Sequence, residues 1–147
     1  MSAPRDPGDS SGSHHPPGPP RILALDVGSK TIGLAVSDPL GITAQGLETL
    51  RRRNKRSDLE QLRRVLKRFD IREIVVGYPL RMSGAESGQT EKVTRFAEQL
   101  RQRFQLPVHL WDERLTTVAA HELGPAERDD EIAAAIILQE FLDARRR

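Results

Sequence analysis

Three carboxylates stand where the sequence pattern makes an acid costly. Asp26 ends the run Ile22-Leu23-Ala24-Leu25, which is apolar on both faces of its strand, as strands in the middle of a covered sheet are. An ionised carboxylate there is unfavourable unless it is paired or coordinates a cation. Asp130 precedes Ala133, Ala134, Ile137, Leu138 and Phe141. That spacing makes it head the core-facing stripe of a helix rather than the wet face. Glu113 closes a strand in Trp111-Asp112-Glu113-Arg114-Leu115-Thr116-Thr117.

Each acid also has an ordinary account. Asp26 can accept hydrogen bonds from the Gly28-Ser29-Lys30 turn. Asp130 can serve the helix dipole, as Asp129 or Glu131 could. Glu113 can pair with Arg114 beside a helix cap at Thr116 or Thr117. Together, however, they come from the ends of two strands and the start of a late helix, which one sheet can gather on one rim. Three carboxylates gathered there repel one another unless a divalent cation sits between them. Oxygen ligands in a chain without cysteine select hard ions, Mg²⁺ or Mn²⁺. Two such ions about 3.5–4 Å apart activate water and stabilise the leaving oxygen of a phosphodiester.

The elements that must position these acids follow from pattern. The chain has 147 residues, room for one domain. Residues 1–20 are Pro, Gly, Ser and Asp with almost nothing apolar. They cannot offset their ordering entropy and are expected to form a disordered tail, with His14 and His15 as solvated residues of it. The domain is expected over 21–147. Apolar runs at Ile22–Val27, Thr31–Val36 and Thr43–Leu50, separated by turn residues, predict an antiparallel meander. Ser57 with Glu60 three residues on is a capping-box pattern. It predicts a helix carrying Leu59, Leu62, Val65, Leu66 and Phe69 on one face. Ile71–Gly77 is the fourth strand. A glycine-bearing loop over Ser83–Gly88 leads to a helix with Val93, Phe96, Ala97, Leu100 and Phe104 on one face. Pro107–Trp111 is the fifth strand, residues 115–122 a short helix and Asp129–Arg145 the last helix. Strands alternating with helices in the second half imply parallel pairing. The fold class is α/β, a mixed sheet with helices packed on it.

No apolar stretch approaches the roughly 20 residues of a membrane span, and no signal-peptide pattern is seen. A soluble, cytoplasmic location is therefore expected. Lys and Arg number 23 against 21 Asp and Glu, so overall charge does not announce a nucleic-acid partner; the distribution does. Residues 51–68 hold nine bases against two acids, with Arg51, Arg52, Arg53, Lys55 and Arg56 packed before the predicted helix. Clustered bases release counterions from a phosphate backbone without reading sequence; the plainer account is a solvated helix face. Lys30 beside Asp26, and Arg114 beside Glu113, are further phosphate candidates. Arg145-Arg146-Arg147 is either a contact or a frayed end. Tyr78 and Trp111 are the aromatics available for base stacking, and Trp111 suits the core better.

Four segments, ILALDVGSKTIGLAVSD, VVGYPLRMSGAESGQTEKVTRFAEQL, WDERLTT and DDEIAAAIILQEFL, closely resemble the YqgF/RuvX family of the RNase H-like nuclease superfamily. The resemblance covers about residues 21–144. Members of that family are described as Holliday junction resolvases or as nucleases that mature the 5′ end of pre-16S rRNA. The resemblance implies an RNase H-like fold, with a central mixed five-stranded sheet that begins with three antiparallel strands. It places the first-strand acid at Asp26, the glutamate of the DERLTT motif at Glu113 and the acid opening the last helix at Asp130, with Asp129 as the alternative, although counting back from Ile136-Ile137-Leu138 favours Asp130. It implies a divalent-metal endonuclease with RNA as the favoured partner and branched or single-stranded DNA as the alternative; monomer and homodimer both stay open. This chain departs from many members in the short, non-basic connection 122–129, so the resemblance implies no substrate contact there.

Two other classes compete. A binding factor in transcription or ribosome assembly would keep the fold without catalysis, although the three acids are retained. Asp26-x-Gly28 with Thr31-x-Gly33 is also similar to the first phosphate motif of actin-like kinases, but those need two such domains closing on ATP, more than this chain supplies.

Overall fold

The computed structural model describes residues 18–78, 84–112 and 130–146. Most of the expected tail with His14 and His15, Pro79, Glu113, Arg114 and the expected helix over 115–122 lie outside them. Strands β1 (Arg21–Val27), β2 (Thr31–Ser37) and β3 (Ala44–Arg51) come first. Helix α1 (Lys55–Arg68), β4 (Ile71–Tyr78), α2 (Gly84–Phe104), β5 (Val108–Asp112) and α3 (Asp130–Arg146) follow. The sheet order is β3-β2-β1-β4-β5. β1 pairs antiparallel with β2 and parallel with β4, and β5 extends the parallel half. The expected meander and mixed sheet are both present.

β1 is central because both of its faces are apolar. Leu23 and Leu25 enter one core with Ile32, Leu34, Ile74, Val76 and the inner faces of α1 and α2. Ile22 and Ala24 enter a second core with Ala35, Val75 and the α3 residues Ala134, Ile137, Leu138 and Phe141. Successive strand side chains point to opposite faces, so one strand feeds both layers. Alanines on the sheet (Ala24, Ala35) and on the helix (Ala134), all fully buried, leave no bulky spacer between α3 and the sheet. β3 is different. It is an edge strand with exposed Gln45, Gly46 and Glu48, consistent with its weak apolar signal.

Two helix starts differ from expectation. α1 begins at Lys55, not after Ser57, because Asn54 is the cap: its Oδ1 accepts from the Ser57 amide at 2.8 Å. Glu60 does not close a capping box; it accepts instead from Arg63 Nη2 at 2.7 Å and lies 3.7 Å from Arg64. Lys55 and Arg56 are thus first-turn helix residues. α2 begins at Gly84, inside the segment expected as a loop. α1 and α2 each give way to a residue in the left-handed region, Asp70 (φ 54°) and Gln105 (φ 57°). Asp is among the few non-glycine residues that adopt this readily. No described helix is long and apolar enough to cross a membrane.

The end of α3 is clamped rather than frayed. Arg145 donates to both oxygens of the buried Glu73 carboxylate on β4, at 2.9 and 2.7 Å. His109 of β5 bonds the same carboxylate. The Arg145 guanidinium also lies 4.7 Å from the centre of the Phe141 ring. These hydrogen bonds, Arg145 first, hold the Glu73 carboxyl below its ordinary value of 4.5 against the opposing effect of burial. A depressed folded pKa contributes stability that is full above the unfolded value and lost as pH falls through the folded one. Glu73→Gln is therefore expected to cost about 2 kcal/mol at neutral pH. The difference from the native chain should shrink on acidification below the ordinary carboxylate range. Urea midpoints at neutral and acid pH check this; a constant difference would exclude the ionised clamp.

Candidate active site

β1, β4 and β5 run parallel, so their carboxyl ends share one rim. Asp26 lies there, one residue before the end of β1 and opposite Gly33 of β2. It alternates with Ile22 and Ala24 and so belongs to the α3 face of the sheet. It is only half-buried, where Leu25 before it is fully buried. At the same rim Tyr78 of β4 pairs with Asp112, the last residue of β5. Glu113 lies outside the described residues, but it is the covalent neighbour of Asp112.

α3 runs antiparallel to β1. Near its C-terminal end Arg145 reaches Glu73, Arg146 Nη1 donates to the Ile42 carbonyl at 3.2 Å, and Gln139 Nε2 donates to the same carbonyl at 2.9 Å. Those partners sit at the far rim. From Arg145 back to Asp130 the helix climbs about 22 Å at 1.5 Å per residue. From Ile22 to Asp26 the strand advances only about 13 Å. α3 therefore runs from the far rim toward the rim that carries Asp26. Of the three acid-bearing segments, Asp26 on β1 and the end of β5 share this edge, and α3 runs from the far rim toward it; the side chains of Glu113 and Asp130 lie outside the described residues. Among the described residues no three His, Asp or Glu side chains form a metal-binding group.

Trp111, on β5 beneath α3, packs edge-on against Phe141 with ring centroids 5.5 Å apart. Its indole nitrogen is buried without a hydrogen-bond partner among the described residues. It is a core residue, as its preferred reading had it.

The bases divide into presented and internal ones. Arg51, Arg53, Lys55 and Arg56 are exposed, as is Lys30 in the β1–β2 turn. Arg52 turns inward. Its Nη1 donates to the Gly28 carbonyl at 2.7 Å, its Nε to Asp58 Oδ2 at 3.1 Å, and its guanidinium lies 5.4 Å from the centre of the Phe96 ring. Its backbone amide donates to the Lys30 carbonyl at 2.8 Å. Asp58, 1 % exposed, also accepts from the Arg53 amide at 3.0 Å. Arg52 and Asp58 thus tie the turn after Asp26 to the start of α1. Lys92 and Arg95 of α2 were not singled out from sequence. They line, with Arg53, Lys55 and Gly28, a cleft of about 450 Å³. Their signal was the stripe Lys92, Arg95, Gln99 flanking the apolar face of α2, legible as a helix flank but not as one wall of a cleft.

Comparison with known proteins fixes the family. The model of the RuvX family, described as Holliday junction resolvase, matches residues 20–144. This chain belongs to that family. A Koribacter versatilis protein named "Putative pre-16S rRNA nuclease" is 56% identical, across 85% of this chain and 88% of the relative. A Moorella thermoacetica protein of the same name is 50% identical across 84% and 94%. Among solved structures, T. thermophilus RuvC in complex with Holliday junction substrate superposes with a TM-score of 0.59 at 16% identity, covering 86% of this chain and 96% of that one. The fowlpox virus resolvase in complex with Holliday junction DNA gives 0.53 at 11% identity, covering 86% and 99%. The shared fold is RNase H-like, as expected.

For a RuvX chain the rim is a suitable place for hard-cation chemistry. A carboxylate on a central, doubly covered strand cannot drift, and the chain has no cysteine to compete as a ligand. The turn that carries Gly28 past it is held from outside by Arg52. Asp58→Ala is expected to cost about 2 kcal/mol, because it strips a buried acceptor from a guanidinium and an amide together. Asp58→Asn, which keeps an acceptor for the Arg53 amide, should cost less. Urea denaturation of the two variants orders them, and equal losses would mean that the amide bond contributes nothing.

Proposed function

We propose that this RuvX-family chain is a divalent-metal-dependent nuclease whose substrate is the 5′ leader of pre-16S rRNA. Its nuclease domain spans 21–147 behind a tail at 1–20. The observation that carries this reading is the placement of Asp26 on the α3 face of the rim where β5 ends and toward which the start of α3 points. Asp26, Glu113 and Asp130 would hold Mg²⁺ or Mn²⁺, with two ions accommodated by three carboxylates. Bound there, the metal supplies an activated water and neutralises charge on the phosphodiester being cut.

The protein's own residues do the rest. The rigid central strand fixes Asp26 at the edge. The exposed bases Lys30, Arg51, Arg53, Lys55 and Arg56 attract the phosphate backbone and hold it by charge, without reading sequence. Arg52 acts through the β1–β2 turn as a positioning residue. Arg114, next to Glu113, is the remaining candidate for a bidentate grip on a phosphate. The names of the relatives support RNA as the substrate. The description of the family supports a branched DNA, which is the second reading.

A side-by-side assay decides between them. Purified protein is incubated with a pre-16S leader RNA, single-stranded DNA and a four-way junction, each with Mg²⁺, Mn²⁺ or chelator. Cleavage of the leader RNA that disappears with chelator is expected. Asp26→Asn should lower it at least about 100-fold, the scale of losing one electrostatic contact to the transition state, with an unchanged circular dichroism melt. Preferential cutting of the junction would assign the chain to DNA. Folded native protein inert on all three substrates would leave a binding factor.

A further inference from the structure

We infer that the cleft between the β1–β2 turn, the β3–α1 junction and α2 is a second phosphate subsite, which holds the cut strand one or more nucleotides away from the scissile bond. The inference rests on the nuclease reading and adds where the strand goes beyond the rim. Arg53, Lys55, Lys92 and Arg95 surround a space of about 450 Å³. No acid pairs with any of the four among the described residues. The acid in the lining, Asp58, is already engaged by Arg52 and by the Arg53 amide. Like charges facing one small space repel, and an anion between them removes that repulsion.

Position gives the anion its identity. Val27 and Gly28 line the cleft and follow Asp26 directly, within about 8 Å of chain. Yet Asp26 belongs to the α3 face, whereas Val27 packs with the opposite core. Asp26 and the cleft thus lie on the two faces of the sheet at the same rim. A strand crossing that rim passes over Gly28-Ser29. Gly28 keeps that turn tight: its amide donates to the Thr31 carbonyl, which an added Cβ would meet at 3.1 Å. One phosphate then sits at Asp26 and a neighbouring one among the four cations. A nucleic-acid strand satisfies both; a free anion would have no reason to adjoin the rim.

The test separates binding from cutting. In the full-length Asp26→Asn protein, fluorescence anisotropy with a labelled single-stranded leader RNA is read across a salt series, with and without Lys92→Gln and Arg95→Gln together. Both side chains are exposed, and an unchanged melt verifies the fold. The expected result is binding weakened about tenfold, with the slope of log K against log salt smaller by about 1.4, two contacts at 0.7 each for a single strand. Arg72→Gln with Arg103→Gln, away from the cleft, should leave the slope unchanged. An unchanged slope in the Lys92/Arg95 variant, or an equal fall in the control, overturns the subsite. Cleavage by otherwise native protein reports separately on the nuclease reading. If it cuts while the slope stays put, only the subsite fails; if it never cuts but the slope falls, only the active site does.

Discussion

A strand covered on both faces can carry a carboxylate only where its cover runs out. β1 is such a strand: Ile22 to Leu25 are all buried, alternately beneath α3 and beneath α1 and α2. The next residue is Asp26, already half-exposed. Moving the acid one residue back would bury a charge in an apolar layer, and moving it one forward would turn it to the other face. The position of Asp26 is thus set by where the core ends. Because β1 is central, that end is also the middle of the rim.

The rest of the fold aims other segments at this point. Parallel pairing brings the end of β5 to the rim, and a crossover helix on each parallel connection is what makes such pairing feasible. α3 runs the other way, so its start, not its end, points there. Its anchoring is concentrated at the far rim: Arg145 on Glu73, and Gln139 on the backbone of Ile42 and Ala44. The stripe of small and branched residues between the two ends fixes the height of α3 over the sheet by close packing.

Much of this was legible because it depends on periodicity. Double-faced apolarity marked β1 as central, and the stripe Ala134, Ile137, Leu138, Phe141 marked the buried face of α3. Where two local signals competed, pattern was insufficient. Asn54 and Ser57 are both good caps, and Glu60 three residues after Ser57 favoured the later start. Glu60, however, faces Arg63 and Arg64, a choice made by neighbours on the same helix that a capping pattern does not weigh. The bases show a second limit. Arg51 to Arg56 read as one cationic run, yet Arg52 is half-buried and tied inward, because the buried partner Asp58 lies six residues on and Gly28 in another hairpin. Lys92 and Arg95 were missed for the converse reason: their significance depends on α2 lying beside the β1–β2 turn, a tertiary fact. Pattern singled out Glu113 and Asp130 and the family resemblance gave them their expected role, but their side chains lie outside the described residues.

The sheet itself keeps the two kinds of charge apart. A nuclease of this type needs carboxylates free to bind cations and basic residues free to bind phosphates, and the two kinds neutralise each other if they meet. Asp26 faces α3, whereas Val27 and the cleft bases stand on the side of α1 and α2. Pairing between opposite charges does occur where it is structural. Arg52 with Asp58, and Arg145 with Glu73, each join a buried acid to a more exposed arginine that ties two elements together. Among the described residues the cleft bases have no such partner, and the backbone of β1 stands between them and Asp26. On the proposed reading, a phosphodiester strand lying across the edge would meet both sets of charges at once.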